Sequence, residues 1–205
     1  MALYSMIAAR ASKKATSLVL LIAIFSLMLT GHTRASGAHI DIGLPSDIPA
    51  AMNNFASGNG DFSTSLVGLF LGVGHQVYTF NGTAWINSNV SADLYDKNAD
   101  IVAHHFFLPP PGIGGGMATW ARFSPPSFVT AVPVVKVTQT DAVPLLLLNS
   151  TAARGPPSPS GSFDEVTHVQ RLQTHGGLPP STTSATTGSV FFSPYSAVYA
   201  FYHVA

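Results

Sequence analysis

Gln76-Val77-Tyr78-Thr79-Phe80-Asn81-Gly82 reads as a strand that ends in a hairpin turn. Asn-Gly is favoured where a two-residue turn needs positive φ at both central positions, and it reverses a strand onto its antiparallel neighbour. Working outward, Ala84 to Ile86 is the return strand and Leu66 to Gly72 a strand candidate upstream. Further candidates are Ser91–Tyr95, Ile101–Leu108, Ala118–Phe123, Phe128–Thr138, Leu145–Asn149, Phe163–Gln173, Ser189–Phe192 and Ala197–His203. Asp96-Lys97-Asn98 reads as a turn. In the last strand Ala197, Tyr199 and Phe201 alternate with Val198, Ala200 and Tyr202, so both faces are apolar and both are expected to be buried. About ten short strands with little helical periodicity predict an all-β fold: an antiparallel β-sandwich or small barrel in a single domain.

The N-terminus has the three parts of a cleavable secretory leader. Arg10, Lys13 and Lys14 form a positive region, Leu18 to Leu29 an apolar run, and cleavage fits after Ala35 or Ala38. A spanning helix needs roughly 20 apolar residues, which this run reaches only by including Thr16, Ser17, Thr30 and Gly31. The reading is therefore a signal peptide over 1–38, an N-terminal arm over 39–62 with a short helix at Pro49–Phe55, and a β domain over 63–205. The expected location is outside the cell, in the medium or the cell wall.

The leader also distorts the charge. Removing Arg10, Lys13, Lys14 and Arg34 leaves five basic residues against nine acidic ones, a net charge of about −4. Such a balance argues against nucleic acid and against anionic lipid as partners. The low charged fraction suits a chain that buries a core. There is no cysteine, which excludes thiolate metal sites and thiol nucleophiles. Sequons at Asn81, Asn89 and Asn149 are candidate glycosylation sites, expected on exposed loops. Three further segments read as loops by composition: Pro109–Gly116, Ala152–Gly161 and Pro179–Gly188.

Phe163 to Pro179, FDEVTHVQRLQTHGGLP, carries a resemblance. Together with Gln76-Val77-Tyr78, Ala92–Tyr95, His105-Phe106, Thr119-Trp120, Val143–Leu147 and Pro194–Ala197, it resembles the secreted family called domain of unknown function 3455, over about Gly74–Tyr202. The resemblance implies a secreted β domain. Family members commonly carry one cysteine after the Q-x-Y strand and another after the G-G-x-x-P turn. The resemblance implies that the two pair, and so that Phe80 lies near the loop after Pro180. Some relatives bear a malate dehydrogenase label, but no G-x-G-x-x-G joins a strand to a helix here, and no cofactor is expected.

Among candidate site residues, Arg171 lies in an otherwise apolar strand and must be paired if buried. Two readings stay open. One is a guanidinium that grips a carboxylate or sugar hydroxyls together with Gln170, Thr174, His105 and an exposed Trp120. The other is an internal salt bridge to Asp141, Asp164 or Glu165. Gly176-Gly177 is expected to supply positive φ in a turn. His105, His168 and His175 are the candidates for a zinc or copper site, although His104 and His105 are adjacent and face apart in a strand. Glu165 is the single glutamate, and no G-x-S-x-G elbow is present, so acid–base and nucleophilic catalysis find little support. The expected function is binding of extracellular carbohydrate or a small ligand. A small, possibly metal-assisted enzyme and a purely structural surface protein are the alternatives.

Overall fold

The computed structural model describes residues 38–55, 63–108, 116–156 and 161–205. The leader and most of Pro109–Gly116 lie outside the described residues. Eight antiparallel strands form a closed barrel in chain order: β1 (Thr64–Phe80), β2 (Trp85–Tyr95), β3 (Ile101–Leu108), β4 (Met117–Arg122), β5 (Ser127–Val137), β6 (Leu145–Arg154), β7 (His168–Gly176) and β8 (Val190–Val204), with β8 pairing back onto β1. Closure gives each strand among the described residues a neighbour on both sides.

The eleven short candidates become eight strands because three pairs of them merge. Leu66–Gly72 and Gln76–Phe80 are one strand, as are Ala84–Ile86 with Ser91–Tyr95 and Ser189–Phe192 with Ala197–His203. The punctuation that suggested breaks is inward packing. A side chain at Gly72 would sit 2.6 Å from the Tyr199 ring, and one at Gly74 would sit 2.0 Å from the Ser91 carbonyl oxygen. These glycines let long strands pass close to bulky neighbours without ending them. Phe163–Glu165, expected to open a strand, is instead a 3₁₀ turn capped by the Ser162 hydroxyl.

Alternation along β8 divides the apolar residues between two clusters. Tyr195, Ala197, Tyr199 and Phe201 point into the barrel with Phe70, Leu94, Trp120, Leu148 and Val169. Val198, Ala200 and Tyr202 point outward with Leu147 and Leu172, where the N-terminal arm covers them through Ile42, Ile48, Met52 and Phe55. The arm thus explains why the last strand is apolar on both faces. It contains a 3₁₀ turn at Ala50–Asn53, and the Gln170 side chain donates to the Met52 carbonyl at 2.6 Å.

The two ends of the barrel differ. At one end Phe163 stacks on Phe201 at 4.4 Å, and the Arg122 guanidinium lies 5.7 Å from the Phe70 ring centre. Arg122 also donates to the Ser124 carbonyl and to the Gly161 carbonyl. That end is filled by side chains. The other end, where β6 starts and β7 stops, is the polar one.

Candidate functional site

Strand register fixes which side chains enter the polar end. Arg171 pairs with Leu146 on β6 and with Tyr199 on β8, both members of or packed on the inner cluster, so its side chain faces inward. Trp120 pairs with His105, which pairs with Ala92, and these also face inward. Gln76, Tyr78 and Asn87 join them from β1 and β2. Arg171, His105 and Trp120, far apart in sequence, therefore share one lumen.

The polar groups form a chain of contacts. The Tyr195 and Tyr199 hydroxyls lie 3.1 Å apart, and Arg171 is near enough to the Tyr199 hydroxyl to lower its pKa. Arg171 Nε donates to the Pro144 carbonyl at 3.0 Å. Asn87 Nδ2 donates to Gln76 Oε1 at 2.7 Å, and the Tyr78 hydroxyl donates to the Gly177 carbonyl at 2.7 Å. Gly176 and Gly177 have φ of 65° and 78°, so the expected glycine turn is present and brings that carbonyl to Tyr78. Burial raises the Tyr78 and Tyr199 pKa values, and the positive charge of Arg171 opposes the rise at each. Tyr195 is pushed up furthest, by burial first and by Tyr199 beside it second.

His105 is held neutral. Burial lowers its pKa to about 3, while its bond to the Thr119 carbonyl acts in the opposite direction. Nδ1 lies 2.8 Å from that carbonyl oxygen, so Nδ1 carries the proton and Nε2 the lone pair. The imidazole stacks on the Trp120 indole.

Two N–H donors in this lumen, Trp120 Nε1 and Gln76 Nε2, are buried without a hydrogen-bond partner, and so is the acceptor Asn87 Oδ1. The Gln76 amide is near enough to the Tyr195 hydroxyl to lower its pKa, yet Nε2 completes no bond of normal geometry. Buried polar groups are ordinarily satisfied, and each exception calls for an account. No carboxylate among the described residues forms an ion pair with Arg171, so the expected bridge to Asp141, Asp164 or Glu165 is absent there. Arg171, Asn87, Phe107, Ala118 and Leu146 face inward yet keep partial exposure.

The remaining candidates lie elsewhere. Trp120 is 1 % exposed, so the expected surface platform does not exist at this residue: the strand that follows the Pro/Gly loop turns it inward. Gln170 faces the opposite side of β7 from Arg171 and is sealed beneath the arm. Thr174 lies within a break in the β7–β8 register, its hydroxyl buried without a hydrogen-bond partner, and lines a pocket with Gln139, Asp141 and His175. The three histidines do not converge. His105 is in the lumen, His168 sits against Phe55 of the arm, and His175 is on that pocket. Among the described residues no group of three His, Asp or Glu is placed to hold a metal ion. The sequon asparagines Asn81, Asn89 and Asn149 are all exposed, but Asn89 and Asn149 lie in strands rather than loops. Gln76, Tyr78, Asn87 and Phe107 were missed as site residues. An inward-facing polar residue in an alternating strand was the available signal for the first three.

A family model described as a protein of unknown function (DUF3455) matches residues 63–203. The chain belongs to that family. The DUF3455 match begins just before β1 and ends one residue short of the end of β8, so it takes in the whole barrel and leaves the arm outside. It also starts earlier than the resemblance read from Gly74. No curated protein and no solved structure matches the chain. Within the DUF3455 barrel, Phe80 does lie beside the loop after Pro180: its N–H donates to the Ser189 carbonyl at 2.9 Å, and Gly188 N–H donates to the Phe80 carbonyl at 2.8 Å.

Proposed function

We propose that this protein is an exported binding barrel that takes a small ligand into the polar end of its lumen. The carrying observation is Arg171, an inward-facing cation without an acidic partner among the described residues, beside the buried and unpartnered N–H groups of Trp120 and Gln76. Unpaired polar groups of this kind destabilise a fold that gains nothing from them. A ligand that completes their bonds accounts for their retention. Barrels of eight strands have an interior wide enough for side chains or one small ligand. The reading keeps the small-ligand half of the expectation. It sets aside an extended polysaccharide stacked on Trp120, because that indole is buried.

The test uses a fluorescent apolar anion, 8-anilinonaphthalene-1-sulfonate, with the purified protein. One-to-one binding with enhanced emission is expected, and Ala118→Trp or Leu146→Trp is expected to abolish it by filling the opening. Binding that survives both substitutions in folded protein, or no binding at all, contradicts a lumen site.

A further inference from the structure

We infer that the ligand is a monocarboxylate with an apolar body, its carboxylate on Arg171 and its body against Phe107, Ala118 and Leu146. This rests on the lumen reading above and goes beyond it by naming the chemical class.

The charge of the lumen selects the sign. No Asp or Glu is among the inward-facing described residues at the polar end; Asp141, the acidic residue of the adjoining β5–β6 connection, is exposed and forms no ion pair with Arg171. A cationic ligand would meet Arg171 with nothing to balance it. Of the three unpartnered groups named above, two, Trp120 Nε1 and Gln76 Nε2, are donors and suit a ligand that accepts, while Asn87 Oδ1 is an acceptor. An anion meets the cation and both donors.

The shape of the cation selects the acid group. Arg122 is engaged at the opposite end by the Ser124 and Gly161 carbonyls. His105 is neutral through the physiological range. Lys136 pairs with Leu146 in the same cross-strand row as Arg171, but it is exposed. The Arg171 guanidinium matches the two oxygens of a carboxylate in planar, two-point fashion.

The wall selects the body. Phe107, Ala118 and Leu146 pack on the inner cluster and remain partly exposed. They offer apolar surface on the same face as the cation. Hydrocarbon buried there gains roughly 25 cal/mol per Å² of apolar surface removed from water. A small polar acid with no apolar part would use the guanidinium and leave this wall wet.

Isothermal titration of the wild type, Arg171→Met, Arg171→Lys and Ala118→Trp with octanoate, 1-octanol, octylamine and octyl phosphate tests the class. Octanoate is expected to bind one-to-one, at least about tenfold more tightly than octanol or octylamine, since a charge-assisted hydrogen bond is lost in each. Arg171→Met should bring octanoate down to the level of octanol, and Arg171→Lys should recover part of the loss. Circular dichroism and melting confirm that each variant is folded. Octanol equal to octanoate in the wild type, with both lost in Ala118→Trp, overturns the carboxylate class and leaves the lumen site standing. Tighter octyl phosphate assigns the site to phosphate monoesters instead. No binding by any of the four overturns the inference, and 8-anilinonaphthalene-1-sulfonate then decides separately whether the lumen binds anything. Octanoate binding that Ala118→Trp leaves intact overturns the lumen reading itself.

Discussion

The Trp120 indole lies on the His105 imidazole with ring centres 4.3 Å apart and planes 4° from parallel. The stack is closed on a further side by Tyr199, whose ring meets both at 5.3 Å and 5.6 Å. A protonated imidazole would place a buried charge in this cluster, and burial is the main reason His105 stays neutral down to a pKa of about 3.

This makes stability depend on pH in a defined direction. The unfolded chain binds a proton at His105 near pH 6.5, the folded chain only near pH 3. Stability from the neutral ring is therefore complete above pH 6.5 and falls as pH drops from 6.5 toward 3. At pH 5 the loss is about 2 kcal/mol from this group. His105→Gln should flatten the dependence over that window, as read by urea denaturation at pH 7 and pH 5. An equal loss in wild type and variant would contradict it.

Arg171 separates a binding role from a structural one. Breaking a buried ion pair by removing one partner costs about 3–5 kcal/mol. With no acidic partner among the described residues, Arg171→Met is expected to cost under about 1 kcal/mol, because a partly exposed cation and its bond to the Pro144 carbonyl are replaced by an apolar side chain of similar length. Denaturation midpoints of the two proteins measure this directly. A loss of several kcal/mol would mean that Arg171 holds the fold.

Much of the barrel was legible in the sequence because period-two alternation and the Asn81-Gly82 turn report local geometry. The apolar double face of Ala197–His203 correctly marked a strand buried on both sides. Strand merging was not legible: Gly72 and Gly74 look like punctuation unless Tyr199 and Ser91 are known to press against them. At the site, Arg171 stood out as a charge in an apolar strand, and its grouping with His105 and Trp120 is what the register produces. Gln170 and Thr174 were neighbours in sequence only. Alternation puts Gln170 on the far side from Arg171, and Thr174 falls in the break in β7–β8 register, beside Asp141 and His175. Burial of Trp120 depends on the β3–β4 pairing, which no local pattern specifies.

The Phe80 neighbourhood tests the cross-link that the family resemblance implies. Phe80 and Ser189 are joined by a backbone hydrogen bond. The double variant Phe80→Cys with Ser189→Cys is expected to form a disulfide on oxidation. The oxidised form should be more stable than the reduced form of the same variant by about 2–4 kcal/mol. Thiol titration and melting with and without reductant check it. Two free thiols after oxidation would show that the two positions are not apposed in solution.

The leader has its own check. N-terminal sequencing of the protein recovered from a secreting host is expected to begin at Ser36 or His39, set by cleavage after Ala35 or Ala38. A chain that retains Leu18–Leu29 would contradict export by a cleaved signal.

The most direct measurement is a crystal structure of the protein with 8-bromooctanoate, using bromine anomalous scattering to locate the tail. The expected result is a carboxylate within hydrogen-bond distance of the Arg171 guanidinium, with the bromine peak beyond Phe107 and Leu146 on the open side. A lumen that holds only water, with any bromine on the outer surface, would contradict the account.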